Sequence, residues 1–314
     1  MASYILKRVT ALVPLVLFAT LMTFMLIRLS PVDPAEAYFS AANIKPSEEA
    51  LTEKRIEMGL DRPFIVQYVR VVKNMLKLDF GDSYLSSKPV GEEILKRLPS
   101  TLQLAFSSML LALIGILLLG YLSAVYAGGW VDRMVRILSY IGASLPQFLL
   151  GYLLIYIFAI RLDLLPVEGK GTLAQLVLPS LTLAVAIIAT YARLFRENIL
   201  EQLKQAYVDY GHTRGLRPRS IMLRHVVRLA VLPIITGLGM NLGRLITGTI
   251  IVERVFSWPG LGRFFVESIF NRDLPVIQGY VFFAAFLYLC TSLLTDLLHM
   301  AADPQLRLRE KVRE

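Results

Sequence analysis

Six runs of about twenty or more mostly apolar residues dominate this 314-residue chain, and they constrain its fold more than any other feature. A helix rises about 1.5 Å per residue, so such a run crosses a hydrocarbon core of roughly 30 Å. Lipid offers no partner to backbone N–H and C=O groups, so a lipid-exposed run has to be helical. A barrel would instead alternate apolar and polar residues along short strands, and no such alternation is present. The chain therefore reads as an all-α polytopic membrane protein with spans at about 9–29, 100–127, 134–160, 173–195, 229–252 and 278–300. Pro146 predicts a kink inside the third. The first run follows Lys7 and Arg8, as a signal peptide would, but its length favours a retained anchor.

Charge sets the expected orientation. Lys7 and Arg8 place the N-terminus inside, and six crossings return the tail there, with Arg307, Arg309, Lys311 and Arg313. Loop 128–133 and the strongly basic segment 196–228 fall inside; segments 161–172 and 253–277 fall outside. The chain then divides into a tail and first span (1–30), an extracytoplasmic cap (31–99), spans two to six (100–300) and a cytoplasmic tail (301–314). The cap holds ten Lys/Arg and eleven Asp/Glu, and long outside segments cross regardless of charge. Within it, Ser47 followed by acids and then Gly59 predicts a helix start and stop. Residues 63–78 are apolar at helical spacing and are expected to pack on the membrane face of the cap.

Several chemistries are excluded. The net charge of +9 suits a membrane protein with basic cytoplasmic loops and calls for no nucleic acid. The Asp79–Phe80–Gly81 triplet lacks every accompanying kinase motif and reads as a turn. No Gly-rich ATP-binding loop and no His-Glu-x-x-His occurs, so neither catalytic residues nor a metal site is expected. His212, His225 and His299 are scattered, and Cys290 reads as a small buried hydrophobe. Ionisable residues inside spans are few: Arg28, Arg193, Arg244, Asp296 and His299. Arg244 stands near the middle of the fifth span, where an unpaired charge costs roughly 3 kcal/mol or more. It either faces a pathway, together with the nearby Met240, or pairs with Asp296. Gly239 and Gly243 form a Gly-x-x-x-Gly pair, which suits either packing within the chain or a subunit seam.

The polar segment from about 198 to 228 needs a separate explanation. "AYVDYGHTRGLRPRSIMLRH" (206–225) interleaves Ala206, Tyr207, Tyr210 and Leu216 with Asp209 and four arginines, Arg214 among them. Gly211 and Gly215 interrupt the helical spacing and Pro218 stops it. A short helix, a glycine-permitted turn and a second amphipathic helix from about 219 follow. Topology requires only charge; an aromatic, apolar and arginine-rich mixture resembles a protein-docking patch.

"DYGHTRGL" followed by "RH" after the fourth span resembles the cytoplasmic coupling loop of ABC importer permeases. Of their general pattern the glycine is kept as Gly215. Asp209, Tyr210 and Gly211 occupy the Glu-Ala-Ala positions, and His225 to Arg228 the Ile-x-Leu-Pro positions. The fit is closer to the nickel, dipeptide and oligopeptide branch. "LSPVDPAEAY" (29–38), "MGLDRPFIVQYV" (58–69), "LDFGDSY" (78–84), "RLPSTLQLA" (97–105) and "IIVERVFSWPGLGRFFVESIFNRDLPVIQ" (250–278) resemble the same branch in the same order.

This resemblance implies a type I ABC importer fold in a bacterial or archaeal cytoplasmic membrane. It implies a second homologous permease, two ATPase subunits that bind the ATP and magnesium, and an extracytoplasmic substrate-binding protein; no cofactor belongs to this chain. Ala206, Tyr207, Asp209, Tyr210, Gly211, Arg214, Gly215, Leu216 and His225 would form the ATPase-coupling loop, and Met240 and Arg244 a translocation path. "IFNRDLPVIQ" and "HTRGL" lean towards nickel or a metal–chelator complex as cargo, with di- or oligopeptides as the alternative. A reading from another class is a membrane receptor or scaffold without transport; it leaves the placement of Gly215 unexplained.

Overall fold

The computed structural model of the chain describes residues 2–41 and 44–302, with side chains for residue 10 and for 13–41 and 44–295. Lys7, Arg8, Asp296, His299 and the basic tail are thus outside the residues whose side chains are described. Among the described residues no strand forms, only an isolated bridge between Asp82 and Pro89. Helices long and apolar enough to cross a membrane are Val90–Val125, Leu173–Gln202, Pro218–Gly248 and Leu274–Thr295. Two bent pairs bring the possible number to six.

The chain forms two compact units whose boundaries fall inside the helices Val90–Val125 and Leu274–Ala302 and in the loop at Trp258–Pro259. The first comprises residues to Leu102 with Pro259–Leu293. It holds α1 (Ala2–Leu29), α2 (Pro34–Ala41), α3 (Glu48–Met58), α4 (Phe64–Leu76) and the start of α5 (Val90–Val125). Helix α3 starts and stops where the sequence predicts. Ser47 Oγ accepts from the Ala50 N–H at 3.2 Å, and Gly59 takes the left-handed φ of +70° that closes the last turn. Helix α4 lies along α1: the Tyr68 hydroxyl donates to the Leu17 carbonyl at 2.8 Å, and the Phe64 and Tyr68 rings pack on Phe24. It therefore packs against the first apolar run itself. Helix α5 begins ten residues before the predicted span, running through Pro99.

The second unit comprises Gln103–Trp258 with the residues from Leu294. It contains α6 (Trp130–Ser144), α7 (Gln147–Leu154, continued as a π-helical stretch to Arg161), α8 (Leu173–Gln202) and α9 (Ala206–Thr213). Then come α10 (Pro218–Ile221), a π turn over Met222–Val226, α11 (Val227–Ala230), α12 (Leu232–Gly248) and α13 (Ile250–Val255). The chain ends with α14 (Leu261–Phe270), in the first unit, and α15 (Leu274–Ala302), which passes from the first unit into the second.

Helix α8 is the axis of the second unit. Thr172 and Gln175 cap its start reciprocally. Lipid is as apolar as leucine, so helices associate in it through close backbone approach rather than through hydrophobic expulsion. Small residues supply that approach: a Cβ on Gly120 would lie 2.8 Å from the Ala192 carbonyl, and one on Gly142 would lie 3.0 Å from Val185. Phe195 and Ile199 are fully buried beneath these contacts.

Two expectations are corrected here, and one open alternative is decided. The third span is not a kinked rod: α6 and the helix from Gln147 to Arg161 meet at 112°, because Pro146 can neither donate nor let Leu145 continue the helix. Cys290 is exposed rather than buried, on the outward face of α15. Gly239 serves packing within the chain, since Thr295 Oγ1 donates to its carbonyl at 2.9 Å and Thr295 Cγ2 fills the space beside it.

Candidate functional site

The segment after α8 is built around Gly215. Helix α9 ends in a Schellman motif: the Leu216 N–H donates to the Gly211 carbonyl at 3.1 Å and the Gly215 N–H to the His212 carbonyl at 2.9 Å. This closure needs a left-handed residue, and Gly215 has φ +74°. A Cβ there would touch nothing within 4 Å, so the glycine answers to backbone conformation and not to crowding inside this chain. Gly211, by contrast, is buried, and Ile221 of α10 packs 3.1 Å from the place of its missing Cβ. Pro218 opens α10 at the first helical position, where its lost N–H costs nothing.

The other candidate residues of this segment form its outer surface. Ala206, Asp209, Arg214, Leu216 and His225 are exposed, and Tyr210 is 61% exposed with the Arg214 guanidinium over its ring. The half-buried Tyr207 hydroxyl donates to Gln202 at 3.0 Å and ties α9 back to the end of α8. His225 stands apart from the α9 cap, in the π turn. Val208 and Val226 point inward, and Asn198 of α8 donates to the Ala230 carbonyl at 3.2 Å.

Just before this segment lies a group that the sequence did not reveal. Asp132 of α6 is fully buried and accepts a two-pronged bond from Arg196 of α8, at 2.7 Å on each oxygen. Ser123 Oγ donates to the same carboxylate at 2.6 Å and the Gly128 N–H at 2.9 Å. One aspartate thus joins the α5–α6 turn to the end of α8 that carries α9. Such forked, charge-assisted bonds fix direction as well as distance.

Arg244 lines a cavity of about 550 Å³ opposite the middle of α8. Gln147, Thr190, Tyr191, Asn241 and Thr247 share the lining. Asn241 Nδ2 donates to the Tyr191 hydroxyl and to the Gly237 carbonyl, each at 2.8 Å. The Tyr191 ring lies where a Cβ of Gly237 would stand, so only glycine admits it. Arg244 lies one turn from the end of α12 rather than mid-helix. Gly239, which touches Thr295, and Arg244 are five residues apart, about 140° around the helix, so Arg244 faces away from α15. The side chain of Asp296, the partner suggested by the sequence, is outside the described residues. Met240 is 63% exposed and does not line the cavity.

In the first unit, stretches quoted for the family resemblance meet. Asp273 of "FNRDLP" is fully buried and accepts from Ser83 Oγ at 2.5 Å and from the Tyr84 N–H at 3.2 Å, both in "GDSY". Burial, helped by the Asp273 charge, pushes the Tyr84 phenol well above its ordinary range. Asp79 Oδ1 accepts from the Gly81 N–H, which makes the Asp-Phe-Gly triplet a turn. The Leu261 N–H donates to Thr101 Oγ1 at 2.8 Å, joining "WPGLG" to "RLPST".

Residues 116–308 match the family described as binding-protein-dependent transport system inner membrane component, and residues 1–105 match its N-terminal family. The glutathione transport system permease protein GsiC of Salmonella paratyphi A is 36% identical over 307 residues, covering 98% of this chain and 99% of that protein. Its counterpart from Pectobacterium atrosepticum is 37% identical over the same shares. Among solved structures, a chain of the inward-facing MetNI methionine ABC transporter matches 67% of this chain and 96% of its own length, with TM-score 0.56 and 18% identity. A chain of an amino acid ABC transporter matches 67% and 94%, with TM-score 0.51 and 16% identity. These two show the type I permease fold. Permeases of this kind are not enzymes; partner ATPases hydrolyse the ATP. The chain belongs to the binding-protein-dependent inner membrane components, as a multi-pass permease of the peptide and nickel ABC importers.

Proposed function

We propose that this permease, paired with a second one and driven by two ATPase subunits, imports a short peptide or a peptide-like compound such as glutathione. An extracytoplasmic binding protein delivers the cargo, and ATP and magnesium stay with the ATPases. The reading is carried by the match to glutathione permeases over 98% of the chain. The nickel leaning taken from "IFNRDLPVIQ" and "HTRGL" has no support from these relatives. Nor does a non-transporting scaffold fit membership of a permease family.

Both termini face the cytoplasm in this proposal, and the segment from about 198 to 228 is the coupling loop. Its contact core is Asp209 to Leu216, with the α9 cap entering a cleft of the ATPase. The experiment is uptake of labelled glutathione, a labelled dipeptide and labelled nickel in cells lacking only this subunit. Loss of glutathione or dipeptide uptake with nickel uptake intact is expected. Loss of nickel uptake alone overturns the cargo assignment.

A further inference from the structure

We infer that the Arg244 cavity is a charge filter in the translocation path, one that admits carboxylate-bearing cargo and rejects bare cations. The inference rests on the proposed peptide-import reading and adds to it the chemical feature recognised inside the membrane.

The lining decides the sign. Among the described residues it contains one charged group, the Arg244 guanidinium, with the neutral polar groups of Gln147, Thr190, Tyr191, Asn241 and Thr247 around it. A cation entering there meets repulsion and no carboxylate to offset it. A carboxylate meets a planar fork of donors that matches its two oxygens. An ionisable residue on a spanning helix is a functional one by default, provided that it faces water or cargo. Arg244 meets that condition: it is exposed on the cavity side of α12.

The polar wall around the fork is itself ordered. Asn241 precedes Arg244 by three residues and so shares its face of the helix. Both amide hydrogens of Asn241 are committed, to Tyr191 and to the Gly237 carbonyl, which fixes that side chain in the lining it shares with Arg244. The volume, about 550 Å³, lies within the roughly 300–1,000 Å³ usual for small-molecule sites. A hydrated metal ion needs far less space.

The test reads the sign of the cavity without assuming a cargo. In the complete transporter, with Cys290→Ala as background, Gln147→Cys places a thiol in the lining. Its modification rate by an anionic and by a cationic methanethiosulfonate is measured, each normalised to that reagent's rate with free 2-mercaptoethanol. The anionic reagent is expected to gain about tenfold over the cationic one. Arg244→Gln should abolish that preference and Arg244→Lys should retain it. Equal rates, a cationic preference, or no reaction with either reagent overturns the inference. Protection of the thiol by S-methylglutathione, which has no free thiol to consume the reagent, and not by its doubly amidated form, supports it further. If the anionic preference holds while neither glutathione nor dipeptides are imported, the peptide reading fails and the charge filter stands.

Discussion

At the scale of single residues, Gly215 and Asp132 show two kinds of constraint. Gly215 holds a left-handed turn with open space beside it, so Gly215→Ala should cost only about 1 kcal/mol of local strain. Gly215→Asp adds a charge to the face proposed to dock. We expect normal membrane insertion, no transport, and ATP hydrolysis that no longer responds to cargo. Cargo-stimulated turnover at the normal rate in a purified Gly215→Asp complex would refute the coupling assignment. Asp132 belongs to a buried ionic cluster, and its removal strands the Arg196 guanidinium. Asp132→Ala should destabilise the fold by about 3–5 kcal/mol, seen as an early melting transition of the solubilised complex. An unchanged melting temperature would show that the fork is dispensable. Gly215 was legible because a cap, a turn and the following Pro218 are written in neighbouring residues. The Asp132–Arg196 pair was not, because its partners stand 64 residues apart and each looks like an ordinary loop charge.

At the scale of elements, apolar length announced the helices well and their joints poorly. The runs located all the long helices, yet α5 begins ahead of its apolar run and the fifth span begins at Pro218, since amphipathic turns extend a helix beyond the lipid-facing stretch. The bend at Pro146 reads as a kink in sequence. Its size depends on what α6 and α7 pack against, chiefly α8, and this is tertiary information. The contact of α8 with α12 is also invisible until Tyr191 and Gly237 meet. Gly237→Leu should overpack that contact and cost about 1–3 kcal/mol. A Tyr191→Ala change made with it should recover part of the loss, since the two groups compete for one space. Purely additive losses in thermal melts of the double variant would show that the clash is not the cause.

At the scale of the whole molecule, the quoted stretches "GDSY" and "FNRDLP", or "RLPST" and "WPGLG", look unrelated in sequence and converge in the first unit. Asp273→Ala should leave Ser83 and the Tyr84 N–H without their shared acceptor, at about 1–3 kcal/mol, and lower the yield of assembled transporter. Normal yield and melting would remove Asp273 from the framework.

Helix α8 carries the cavity wall at Leu183–Tyr191 and the Asp132 fork at Arg196 on one continuous helix, and α9 follows a short turn, residues 203–205, beyond its end. From Tyr191 to Gln202 is about 16 Å of helix, and its internal proline, Pro179, lies before this stretch, on the other side of the cavity wall. On the proposed function α8 acts as a push rod: a stroke delivered at α9 crosses the turn at 203–205, which the Tyr207–Gln202 bond braces, and then meets no further joint before the cavity. A break introduced at the exposed Glu197, by Glu197→Pro, should let the ATPases cycle while the cavity stays still. If transport survives that break, the stroke travels by another route. If transport is lost while the ATPases still cycle, the gearing ratio between the nucleotide cycle and the pathway is set by the length of one helix.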